Sequence, residues 1–190
     1  MIRRLIPMLL VLAAPCAATA QDTDSKTVPI NGTVSRLCVL GAPSEAAVNL
    51  GELINVSGAR VGRLAALTQR TVSLPGSFCN FAGSTISVSA SALVAADPSA
   101  VQTGFARAVN YAATVANWTT PSTVATTAAS GAGANPTTST TGATQGAPRL
   151  ADLSLTLNGF SVPADALLVS GAYSGQVIIT LGPAAGGNQP

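Results

Sequence analysis

Small apolar side chains alternate with polar ones along much of the chain, with a period of two. In the clearest run, Ser84 to Val94, residues Ile86, Val88, Ala90 and Ala92 face one way and Ser87, Ser89 and Ser91 the other. That period over this length predicts a half-buried β-strand. Val72 and Leu74 alternate with Thr71 and Ser73 up to Pro75-Gly76. Phe105, Val109, Tyr111, Ala113 and Val115 predict another strand, ending near Trp118 and Pro121. Leu153, Leu155 and Leu157 predict a third, closed by Asn158-Gly159, and Tyr173, Val177, Ile179 and Leu181 a last one before Gly182-Pro183. Upstream, Val28, Ile30, Gly32 and Val34 alternate toward Cys38 and Leu40. Arg36 is out of phase, and Asn31-Gly32 divides the run. Val48 and Leu50 predict a short second strand, and residues 54–66 a loop or a single helical turn. Seven or eight short strands with turns between them predict an all-β sandwich.

Two segments break the pattern. Residues 119–148 hold Thr, Ser, Ala and Gly with no charge until Arg149 and hardly a large apolar side chain. Such a composition buries too little surface to offset its ordering entropy and predicts a long loop between strands. Residues 184–190 read as a disordered tail.

The amino terminus changes the setting. Arg3 and Arg4 precede the apolar run Leu5 to Ala14, and Ala18-Thr19-Ala20 supplies a small-x-small cleavage pattern. Residues 1–20 therefore read as a signal peptide, with the mature chain starting at Gln21. No segment reaches about 18 uninterrupted apolar residues, so no membrane span is expected. Cys16 leaves with the leader, and Cys38 and Cys79 remain as an even pair in an oxidising compartment. That parity predicts a disulfide, two unpaired buried thiols being the alternative. Without Arg3 and Arg4, seven of the nine basic residues face seven acidic ones. A mature chain without net charge or a basic stripe gives nucleic acid nothing to bind.

Candidate chemistry is sparse. The chain has no histidine, which removes Ser-His-Asp and Cys-His catalysis and the usual zinc sites. Lys26 is the only lysine and lies in a polar segment. Glu45, Glu52, Asp97, Asp152 and Asp165 are scattered in a way that asks for no carboxylate pair. Asp22-Thr23-Asp24 lacks the rest of a calcium loop. Trp118 reads as a core or rim residue, with sugar stacking as the alternative. These residues predict no catalytic site, no metal, no cofactor and no enzyme.

The ordered set of Gly32-Thr33-Val34, Cys38, Val48-Asn49-Leu50-Gly51, Cys79, Tyr111, Trp118 and Gly171-Ala172-Tyr173 resembles the pilin-like subunits of the bacterial chaperone–usher pathway, including the spore coat protein U type. The resemblance covers most of residues 28–182. It implies an immunoglobulin-like sandwich over residues 31–183 that lacks its last strand and leaves an apolar groove open. Val177, Ile179 and Leu181 would then lie on the exposed edge strand. Residues 21–30 would be the donor, with Val28 and Ile30 as plugs. The implied partners are a periplasmic chaperone, an outer-membrane usher and neighbouring copies or homologous subunits. The implied route runs through the periplasm to the cell surface or a fimbrium. The donor is short and polar, and the chain lacks the penultimate aromatic familiar in such subunits. A stand-alone or terminal adhesin with a complete sandwich, contacting a surface glycan, is the alternative.

Overall fold

The computed structural model of the chain describes residues 24–97 and 99–184. The expected leader, the start of the expected extension and most of the polar tail lie outside them. Contacts divide the chain after Val34 into two units. In the first, residues 24–34 belong to no helix or strand, and Lys26 pairs with Asp24 at 2.8 Å.

The second unit is all-β, and one 3-10 turn, Pro163–Asp165, is its only helical element among the described residues. Its strands are β1 (Cys38–Val39), β2 (Arg70–Cys79), β3 (Ser84–Ala95), β4 (Phe105–Ala106), β5 (Ala108–Ala116), β6 (Thr123–Thr126), β7 (Thr138–Thr141), β8 (Arg149–Ser161), β9 (Leu167–Leu168) and β10 (Tyr173–Pro183). The main sheet runs β1-β2-β8-β5-β3-β10, with β6 on β5 and β7 on β3, and every pairing in it is antiparallel. A small parallel pair, β4-β9, stands apart. β5 joins two parts of the sheet. Its first residues pair with Leu93 and Val94 of β3, and the rest pair with β8 and β6.

Alternation decides which side chains fill the interior. Ile86, Val88, Ala90 and Ala92 of β3 are buried, as are Val109, Tyr111, Ala113 and Val115 of β5. Leu74, Leu153 and Trp118 complete the centre of the core. Each large apolar side chain among them contributes about 1.5–3 kcal/mol on burial. Trp118 is fully buried, which rules out the sugar-stacking alternative.

Several expectations need correction. Only Cys38–Val39 of the run from Val28 to Leu40 is a strand, because the pairing with β2 begins where Leu37 and Asn80 bond to each other. Val48 and Leu50 are half-buried but belong to no strand; a ladder needs backbone partners as well as an inward face. Pro75-Gly76 and Asn158-Gly159 do not end their strands. Two residues oppose one at each site, and Gly76 (φ +65°) and Gly159 (φ +63°) absorb the extra residue as bulges.

The largest correction concerns residues 119–148, which are not a passive loop but carry β6 and β7. Thr123, Ala125, Thr127 and Ala129 are buried in strict alternation. Thr127 Oγ1 accepts from the Tyr111 N–H at 2.9 Å and lies 3.1 Å from Asn110 Oδ1. Asn110 Oδ1 in turn accepts from the Ala129 N–H at 2.7 Å. Small polar side chains enter this core because their hydrogen-bonding groups find partners there. Gly142 faces the same place, where an added Cβ would fall on Thr123 and Thr119.

The Cys38–Cys79 disulfide joins directly opposed residues of β1 and β2, with Cα atoms 4.1 Å apart. The flanking Leu37–Asn80 bonds make this the non-hydrogen-bonded position, where facing side chains lie closest.

Two outcomes follow from these contacts. Deleting Thr126 to Gly146 removes β7 and buried Thr127 and Ala129, so the thermal melt followed by circular dichroism loses its cooperative transition. Cys38→Ser opens a loop closed across 41 residues and lowers stability by about 2–5 kcal/mol, read from the denaturant midpoint.

Candidate functional site

Among the described residues the series of paired strands ends at β1 on one side and β10 on the other, and β10 pairs with β3 alone. Its inward residues Val177, Ile179 and Leu181 pack against the core yet remain half-exposed, and Ile178 faces solvent. Val72, Leu74 and Leu153 on β2 and β8 are buried. The difference marks β10 as the incompletely covered side of the interior.

A cleft of about 530 Å³ accounts for it. Val177 and Ile179 of β10 border it, Leu74, Leu155 and Tyr111 line its interior, and Val48 with Leu50 come from the segment that follows β1. A second cleft of about 690 Å³ continues from it. The two share Ala47, Val48, Leu50 and Leu93, and the second extends to Leu168 and Tyr173.

The segment between β1 and β2 is held mainly at its ends. The Gly41 N–H donates to buried Ser77 Oγ at 2.9 Å, and Ser44 exchanges bonds with the backbone of Ser73. Gly41 packs so closely on β2 that an added Cβ would fall on the Pro75 carbonyl. At the far end the Ala65 N–H donates to the Leu53 carbonyl at 2.8 Å. Between these anchors Val48 packs against the core while Asn49 bonds only locally, through Oδ1 to the Gly51 N–H.

Tyr111 forms the polar point of the interior. Its hydroxyl donates to the Ser91 carbonyl at 2.8 Å, with the Gln176 carbonyl 3.3 Å away, so β5 reaches both β3 and β10. Burial pushes its pKa up to about 12, and burial also raises that of Tyr173, with Arg107 opposing.

The described acidic residues have separate partners. Glu45 lies 3.6 Å from Arg70, and Asp165 pairs with Arg60 and Arg63. Asp97 accepts from Ser99, and Asp152 from the Gly76 N–H. The Asp97 carboxyl is held below its ordinary pKa by the Ser99 hydroxyl, and that of Asp165 by Arg60. Among the described residues no group of three or more His, Cys, Asp or Glu could hold a metal ion, and no helix is long and apolar enough to cross a membrane.

Of the residues singled out from the sequence, Cys38 and Cys79 are joined. Val177 and Ile179 border the first cleft, while Leu181 lies farther along β10. Val28 and Ile30 are in the first unit, 78% and 95% exposed. Sequence reasoning missed Leu93, Tyr111 and Phe160 as lining residues. Only Tyr111 was in inward phase in the sequence; Leu93 and Phe160 follow the bulges at Ala92/Leu93 and Gly159/Phe160, where the alternation shifts.

No protein-family model matches the chain, and neither a curated protein nor a solved structure is significantly similar to it.

Tyrosine burial gives a test of this interior. Above pH 10 an unfolded tyrosine loses its proton while folded Tyr111 keeps it, so the folded state binds more protons. Stability is then full below pH 10 and falls through pH 12, on the order of 2 kcal/mol for Tyr111. Guanidinium unfolding at pH 8, 10 and 11 measures the decline, and Tyr111→Phe makes it shallower.

Proposed function

We propose that the chain is an exported structural subunit of a bacterial surface fibre or coat, assembled by donor-strand complementation. The observation that carries this reading is the one-sided pairing of β10 along an apolar cleft.

Strand order supports the finer reading of the fold as an immunoglobulin-like sandwich without its last strand. In such a sandwich A, B, E and D form one sheet and C, F and G the other. Here β1-β2-β8-β5 matches the first group and β3-β10 the C-F pair. Among the described residues no strand occupies the G position beside β10.

An added strand would satisfy the free backbone groups of β10, each hydrogen bond contributing about 0.5–1.5 kcal/mol net. It would also fill the cleft with alternate side chains. Residues 21–30 of a neighbouring copy supply such a strand, with Val28 and Ile30 as plugs. Burying these two would contribute roughly 3–6 kcal/mol before ordering costs. A periplasmic chaperone would cover the same edge before assembly, and an outer-membrane usher would receive the subunit. An unprotected edge of this kind otherwise pairs indiscriminately.

Size-exclusion chromatography with light scattering tests this. The wild-type chain forms strand-paired oligomers, and Val28→Asp/Ile30→Asp is monomeric because charge in the cleft costs several kcal/mol. The disulfide and β-sheet signature persist in the double variant. A monodisperse, cooperatively folding wild-type monomer would overturn the reading and leave the stand-alone adhesin in its place.

A further inference from the structure

The sequence holds two Asn-Gly steps, Asn31-Gly32 and Asn158-Gly159. An asparagine before glycine reacts readily with its own main chain, because glycine has no Cβ to shield its amide nitrogen. That nitrogen must swing onto Cγ of the asparagine, so the backbone around the step has to be free to turn.

The two steps differ in that freedom. Asn158 is half-buried in β8 opposite Ala112, and Leu157 before it stands between Ala113 of β5 and Arg70 of β2. A ladder on both sides holds its backbone extended. Asn31 is exposed and belongs to no helix or strand of the first unit. Among the described residues of that unit the side-chain hydrogen bond is the Lys26–Asp24 pair, and neither the Asn31 amide nor the Gly32 N–H joins one. A Cβ added at Gly32 would meet nothing within 4 Å. Backbone with so few bonds opens most easily.

We infer that Asn31 is a self-modifying site: it deamidates while the first unit is free, Asn158 is spared, and seating residues 21–30 in a neighbouring copy stops the reaction. Only the last part rests on the reading of the chain as a strand-complemented subunit. In the first step the Gly32 nitrogen bonds to Cγ of Asn31 and the Cγ–Nδ2 bond breaks. Ammonia leaves, taking up the proton that the Gly32 amide gives up. Water then opens the cyclic imide. Attack at Cγ gives aspartate, and attack at the main-chain carbonyl gives isoaspartate. Both products carry a carboxylate where a neutral amide stood. Isoaspartate also adds a methylene to the main chain and breaks the two-residue period next to Ile30. Asn31 thereby records the time a copy has spent unassembled.

Peptide mapping by mass spectrometry, during incubation in mildly alkaline buffer, follows both asparagines in the intact chain. In Val28→Asp/Ile30→Asp, Asn31 converts as fast as in a synthetic peptide of residues 24–36 of that variant, and Asn158 at least tenfold slower. An intact Asn31 in the chain while the peptide converts would overturn the inference, as would equal rates at the two asparagines. Gly32→Ala slows conversion on the order of tenfold, because a Cβ crowds the attacking nitrogen, and leaves the melt unchanged. Conversion of that variant at the unaltered rate would overturn the ring-closing route. Wild-type oligomers isolated by size exclusion convert at least tenfold slower at Asn31 than the double variant. If oligomers form and Asn31 converts within them at the monomer rate, protection by assembly is wrong. If the wild-type chain stays monomeric and Asn31 converts freely, the donor reading fails and the modification site stands.

Discussion

A β-strand needs backbone partners on both sides or water in their place, and among the described residues β10 has a ladder partner on one side only. That imbalance shapes the rest of the described structure. Val177 and Ile179 stop half-buried, the core on their side ends in two joined clefts, and the segment from Gly41 to Leu53 borders the gap without pairing across it. β5 allows this shape, since it pairs with β3 at its start and with β8 afterwards.

Small residues make so thin a core workable. Alanine, serine and threonine occupy inward positions that larger domains give to leucine and phenylalanine. Thr127 and Ser77 are buried with their hydroxyls bonded to backbone or to Asn110. These bonds keep polar burial from becoming a penalty. They also give the β5–β6 region a directional specificity that methyl contacts lack. The disulfide anchors β1, whose two residues would hold weakly by hydrogen bonds alone.

The candidate site is an absence framed by order: a free edge, an apolar slot and a flanking segment with few backbone bonds. Such a site suits an extended apolar segment better than a small polar molecule, because its recognition groups are a row of peptide units and alternate side-chain pockets. Among the described residues Glu45, Asp97, Asp152 and Asp165 are each engaged by a neighbour of their own.

Period-two patterning determined most of the strands and nearly all of their inward residues, from Ile86, Val88 and Ala90 to Val177 and Ile179. A pleated strand puts alternate side chains on opposite faces whatever its partners are. Reading residues 1–20 as a leader left Cys38 and Cys79 as the expected pair, and they are joined. Tertiary structure decided what depends on partners. Pro75-Gly76 and Asn158-Gly159 read as turns, yet they bulge because neighbouring strands continue past them. Thr123, Ala125, Thr127 and Ala129 read as loop, yet they are buried, with Thr127 and Ala129 bonded to Asn110 and Tyr111. Val48 and Leu50 read as a strand, yet they join no ladder. The open side of β10 is of the same kind, since one strand's alternation carries no information about what stands beside it.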